Sequence, residues 1–405
     1  MEKQTNLIET DQTARPKRAT LIGLASISVL SINMFAPALD DMATDFSTSF
    51  FTISLALGAY LAFTAIIQLV IGPVSDRFGR RPVVLTALAI FVLASCVCAL
   101  AQNISVFLAF RFLQAGVACC GALSMVIVRD THPTERVAGT IAYIGMAMAV
   151  APLLGPIVGG ILADVFGWRS IFWFFAAFGT INLVHCWYRL RETKPNSSAG
   201  TKSMRRSMML LAASQAFWAF AMVTAFSTGA FFIFIAGAAI VADTVFQLTP
   251  SQTGLAVGSI TGGFMFGSFL SGKYSQHFGL LKMIFCGRLT ALTGLTLGAL
   301  LWVLGLQSSP YTYFGLIVLV GIGNGITMPN SNTGALSVNP KLAGTAAGLN
   351  SALNALCGGI LTLVAGAVMS SSTGGGQLLF LMLFCVLVSL IAALKAKSLS
   401  PTRCE

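Results

Sequence analysis

Apolar stretches of about twenty residues recur along this chain, separated by short polar breaks. A helix rises 1.5 Å per residue, so ~20 apolar residues cross a hydrocarbon core and each stretch predicts a membrane-spanning helix. Twelve such spans are legible, at 20–40, 50–72, 83–101, 105–128, 138–163, 168–188, 212–240, 252–275, 281–305, 312–336, 343–369 and 377–395. Residues 1–19 and 397–405 read as polar tails, and the largest hydrophilic interruption, 189–211, falls after the sixth span. Its Pro195, Asn196, Ser197, Ser198 and Gly200 suit a flexible linker between two halves, 20–188 and 212–396. The fold class is therefore an all-α polytopic membrane protein of two six-helix halves.

Composition strengthens this picture. The 405 residues are 56% hydrophobic and 9% charged, too apolar for a soluble chain to bury, and the lipid bilayer is the implied partner. A net charge of +11 would suggest nucleic acid in a soluble protein, but here the basic residues are dispersed through loops and no nucleic-acid surface is expected. They fall on one side: Arg77, Arg80, Arg81, Arg129, Arg136, the linker and both tails on one face, against Arg169 alone on the other. By the positive-inside rule both termini are cytoplasmic. Ala36-Pro37-Ala38 mimics a signal-peptidase site, but the long apolar segment before it reads as an uncleaved first helix. The cysteines are nine, eight of them in apolar runs without metal-ligand spacing, and read as small packing residues; no disulfide, metal site or other cofactor is expected.

The most informative polar break is Gly72-Pro-Val-Ser-Asp-Arg-Phe-Gly-Arg-Arg-Pro82. Gly72 and Pro73 are expected to end one helix, Gly79 to permit the reversal and Pro82 to sit in the first turn of the next. A fainter copy, Gly272 to Gly279, keeps Gly, Ser, Phe and Gly in register but has Gln276 and His277 in place of acid and base. Ala138-Gly139-Thr140 likewise recurs as Ala343-Gly344-Thr345. Two echoes at nearly equal offset predict pseudo-symmetric halves facing the same way.

No catalytic constellation is present, so the chain does not read as an enzyme. His132, His185 and His277 lack partner acids, cysteines or serines at motif spacing. An ionisable residue inside a span is a functional candidate by default, and Arg111, two turns into span 4 with Gln114 one turn on, is the strongest. Its guanidinium cannot be neutralised and needs a wet cavity or an acceptor. Arg288 in span 9 reads instead as snorkelling toward an interface. Substrate would sit between the halves near the midplane, where Asn33, Tyr60, Gln68, Arg111 and Gln114 face Gln215, Asn324, Asn330, Asn350 and Asn354. So lightly charged a cavity favours amphiphilic molecules.

The chain resembles major-facilitator transporters, and within them the twelve-helix drug:proton antiporters of the bicyclomycin/chloramphenicol-resistance type. The 72–82 turn resembles the signature loop after helix 2, Arg111 to Gly116 the arginine motif of helix 4, and Gly155-Pro156-Ile-Val-Gly159-Gly160 the core of the antiporter packing motif of helix 5. Val128-Arg129-Asp130 and Gly167 to Phe172 resemble two further stretches. The resemblance implies the major-facilitator fold and multidrug efflux coupled to protons, hence antibiotic resistance, by a monomer in the bacterial inner membrane.

It also implies a conformational latch. Asp76 would meet the N-terminus of helix 11, near Lys341 to Thr345, and join the halves, while Arg80 pairs with Asp130 inside the first; Gly72, Arg77, Gly79 and Arg81 complete the turn. Two departures stand out. Ala142 and Ala151 occupy positions where the helix-5 motif has glycine, and Asn33 stands where relatives carry a titratable Asp. Proton carriage would then fall to Asp40 or Asp41, or the chain would carry a metabolite without proton exchange.

Overall fold

A computed structural model describes residues 18–131, 134–193, 208–306, 309–339, 342–369 and 374–399. The chain before residue 18 and beyond residue 399, most of the linker, the packing of Gly72, and the side chains of Asp76 and much of residues 134–149 lie outside the described residues.

Helices account for the fold, with no strand among the described residues. Among the described residues twelve helical spans follow one another in order. Span 1 is broken, as Arg18–Asn33 and Leu39–Asp45 around a short 3-10 turn, Ala36–Ala38. Spans 2 and 3 are Phe50–Phe78 and Arg80–Leu100. Span 4 is also interrupted, as Ile104–Gln114, Ala115–Val117 and Ala118–Thr131. Spans 5 and 6 are Thr134–Phe166 and Arg169–Arg189. The second half holds spans 7 to 12: Gln215–Thr244, Pro250–Phe278, Leu280–Val303, Pro310–Ser337, Ala343–Val368 and Gly374–Leu399.

Span 2 does not end at Gly72-Pro73 but runs unbroken to Phe78. One missing N–H is tolerated in a membrane helix whose neighbours restore the lost contacts, so the reversal is left to Gly79 alone. The break in span 1 has the opposite outcome. Pro37 cannot donate to the Asn33 carbonyl, and the helix ends at Asn33.

The halves join along two crossings, span 2 on span 11 and span 5 on span 8. At the first, Gly359 packs on the Gly58 carbonyl and Ala62; at the second, a Cβ on Gly160 would collide with the Pro250 carbonyl and one on Gly254 with the Pro156 carbonyl. Small residues let backbones touch where lipid offers no hydrophobic drive to associate. These contacts lie away from the face that carries Gly79 and Gly279, here called the turn face, and close the opposite face of the protein.

Candidate functional site

At the first turn Gly79 adopts φ +96°, open to glycine and strained for other residues, and its N–H reaches the Ser75 carbonyl at 3.0 Å. Arg80 is buried, pairs through Nε with Asp130 Oδ2 at 3.3 Å, and donates from Nη1 to Ser75 Oγ. That is the intra-half brace expected from the sequence. The expected contact of Asp76 with the start of span 11 lies outside the described residues.

A reciprocal clamp, not legible in advance, ties this turn to the end of span 6. Glu192 Oε1 accepts the Arg80 backbone N–H at 2.8 Å and Oε2 that of Arg81 at 3.3 Å, so a carboxylate caps the positive end of span 3. Arg81 answers by donating to the carbonyls of Leu190 at 2.7 Å and Trp187 at 2.9 Å, the negative end of span 6. Arg81 thus binds within its own half rather than between halves. Glu192 opens the linker, so the linker's first residues are fastened to the turn.

Arg111 is fully buried. Nε donates to the Ala56 carbonyl of span 2 at 3.2 Å, Nη1 to Gln114 Oε1 at 2.7 Å and Nη2 to the Ser31 carbonyl of span 1 at 2.5 Å. The Ser31 carbonyl belongs to the last turn before the break in span 1, where carbonyls lack helical partners and the dipole is negative. The rings of Phe35 and Tyr60 flank the guanidinium at 4.3 and 4.2 Å. Gln114 continues to Ser95, and Tyr60 to Ser31. Arg111 therefore pins spans 1, 2 and 4 together, and in this conformation Arg111, Gln114 and Tyr60 do not reach open space.

Arg288 corrects the reading from sequence. Rather than snorkelling, it is fully buried and turns toward span 10, with Nε on Thr327 Oγ1 at 2.9 Å and Nη2 on Asn324 Oδ1 at 2.7 Å. Asn324 passes the contact to the Ser227 carbonyl of span 7 at 3.1 Å.

The remaining candidates separate into satisfied and unsatisfied groups. Asn330 is buried and bonded to Ser271 of span 8 at 2.8 Å, a helix-to-helix tie. Gln215 is exposed at the first turn of span 7, where Ser214 caps the helix, and so lies at the turn face and not at the midplane. By contrast Asn33, Gln68, Asn350 and Asn354 each keep a buried side-chain oxygen without a protein partner. Buried polar atoms are rarely left so. These four, from spans 1, 2 and 11, are the side chains best placed to meet a ligand or water.

On the opposite face the halves are tied by charge. Asp164, at the end of span 5, accepts the Ser251 N–H at 2.9 Å from the first turn of span 8. An acid of one half on a helix N-terminus of the other was expected at Asp76; here it occurs on the other side of the protein. Beside it Asp40, at the end of span 1, faces Asp243 of span 7, with Asp41 adjacent. In span 5, Gly155 and Gly159 face Leu30 and Met34 of span 1, while Gly160 and Pro156 meet span 8. The motif is thus the joint on which one half rests against the other.

Comparison with known proteins agrees with this architecture. The family described as Major Facilitator Superfamily matches residues 21–362. Over 89% of the chain and 91% of the relative, it is 29% identical to the uncharacterized MFS-type transporter YdgK of Bacillus subtilis (strain 168). It is 26% identical, with the same coverage, to multidrug resistance protein D of Escherichia coli (strain K12). The crystal structure of a D-xylose-proton symporter superposes over 98% of both chains with a TM-score of 0.76 at 14% identity, which speaks to the fold alone.

Proposed function

The chain belongs to the major facilitator superfamily of membrane transporters, and from that premise we propose that it exports small amphiphilic compounds, antibiotics among them, in exchange for protons. The observation that carries the reading is its alignment along nearly the whole chain with a protein named for multidrug resistance. The site chemistry is compatible with it: the unsatisfied oxygens of Asn33, Gln68, Asn350 and Asn354 are neutral, which suits partly apolar molecules.

The turn face is taken as cytoplasmic, since nearly all loop Lys and Arg lie there, and the membrane as the bacterial inner membrane. The conformation, joined on the opposite face, is then the one that loads from the cytoplasm, and the transporter works as a monomer.

Coupling falls to the pair across that closure. Asp40 and Asp243 meet only when the halves join, and two facing carboxylates repel unless a proton lies between them. A proton taken from outside would therefore hold the outer face shut, and its release inward would let the face part again. Each charge moved is worth about 2.3 kcal/mol per 100 mV. Asn33 cannot perform this task, which transfers it to the end of the same span.

The test is flux in proteoliposomes with an imposed pH gradient, offering a phenicol antibiotic, a lipophilic cation and a pentose. Gradient-driven movement of either drug is expected. Pentose flux with neither drug moved would instead favour the second reading, a metabolite carrier, which the non-titratable Asn33 keeps in view.

A further inference from the structure

Among the described residues two arginines are fully buried, and only one has its charge answered. Arg111 has two backbone carbonyls, an amide oxygen and two aromatic faces around it. Arg288 has two neutral acceptors, Thr327 and Asn324, while its Nη1, with two N–H groups, has no partner. Among the described residues no ring flanks it at cation–π distance.

No acid of this half can supply the counter-charge. Span 9 packs on spans 10, 12 and 8, none of which contains an Asp or Glu. Their charged and titratable groups are basic, Lys273 and His277 on span 8 and Lys395 and Lys397 on span 12, apart from Tyr274, Tyr311, Tyr313 and Cys385. Asp243 is the single acid between Glu192 and Glu405. It stands sixteen residues beyond Ser227 on span 7, about 24 Å along the helix from the carbonyl that anchors Asn324. A guanidinium cannot shed its proton, and a buried charge without partner or hydrogen bonds is disfavoured.

We propose that Arg288, held in place by Asn324 and Thr327, binds a small anionic group inside the second half. The anion is a free inorganic ion such as chloride or the carboxylate of an organic ligand, and in either case it accepts from Nη1. Thr327 and Asn324 are positioning residues: by engaging Nε and Nη2 they leave Nη1 free for the ligand. The site is independent of the export reading, because binding is measured without flux.

The experiment follows thermal unfolding of the purified full-length protein in detergent, with chloride replacing isethionate, a sulfonate with no carboxylate, at constant ionic strength and, separately, with benzoate added. Wild type is expected to show a saturable rise in Tm with at least one anion. A response to chloride alone assigns a free inorganic ion, and one to benzoate alone assigns a carboxylate ligand. Arg288→Gln and Arg288→Met should lose the response, and Arg288→Lys should need at least tenfold more anion. Arg288→Met removes the unanswered charge, so in isethionate it should unfold at or above the wild-type temperature. The proposal is overturned if neither anion shifts wild type, if the shift survives in Arg288→Met, or if that variant is less stable than wild type in isethionate.

Discussion

The turns at Gly79 and Gly279 share a backbone and differ in nearly everything attached to it. Both glycines have positive φ, +96° and +77°, both end one helix and start the next, and both N–H groups reach a serine carbonyl four residues back at 3.0 Å. Around the first, Arg80, Arg81, Asp130 and Glu192 tie spans 2, 3, 4 and 6 into one block. The second has Gln276 and His277 in place of the acid and base. The reversal therefore needs only the glycine and the serine, and the charges are a separate layer that stiffens the first half and fastens the linker to it.

The comparison can be broken most forcefully at the glycines. Gly79→Ala forces a side chain into a positive-φ, extended conformation open essentially to glycine, about 1–3 kcal/mol, and its Cβ would also collide with the Glu192 carboxylate. A large fall in Tm and in transport is expected, and Gly279→Ala should cost less; equal losses would show that the clamp adds nothing. Next comes Arg80→Ala, which removes the ion pair to Asp130 and the hydrogen bond to Ser75. About 1–3 kcal/mol should be lost by thermal unfolding, and a double-mutant cycle with Asp130→Asn should give coupling above ~0.5 kcal/mol.

Glu192→Gln keeps a hydrogen-bond acceptor at the start of span 3 and removes the charge. Its expected cost is about 0.3–1 kcal/mol, with faster proteolysis at the start of the linker as the second readout. Smallest of all, Gln276→Asp with His277→Arg gives the second turn an acid and a base without the partners that use them. Stability within about 0.5 kcal/mol of wild type is expected.

The twelve spans, the division into halves and the Gly79 reversal were legible because hydropathy and glycine act locally. Arg80 with Asp130 was legible because the pairing belongs to a recurrent motif. What the sequence hid depends on which helices become neighbours. Glu192 reads as one more linker acid until span 6 ends beside span 3, and Asp164 as an end-of-helix acid until span 8 begins against it. Span 1 reads as one continuous helix over 20–40, but Pro37 breaks it, and the freed Ser31 carbonyl then explains how a buried Arg111 is satisfied without an acid. Arg288 was misread because its partners lie on span 10: an arginine eight residues into an apolar helix looks like a snorkelling residue until Asn324 and Thr327 face it.

The central claim, that a shared proton holds the two halves together on the face opposite the turns, is tested most directly by distance. Spin labels at exposed sites on the ends of spans 5 and 8 report the separation of the halves from acid to alkaline pH, in wild type and in Asp40→Asn. If the proton bridges Asp40 and Asp243, closure is fully present at low pH and lost as rising pH removes the Asp40 proton, so the wild-type distance should lengthen. In Asp40→Asn an amide donates to Asp243 without a titrating proton, and the distance should stay short throughout. A wild-type distance indifferent to pH, or one that lengthens equally in the variant, would contradict the claim.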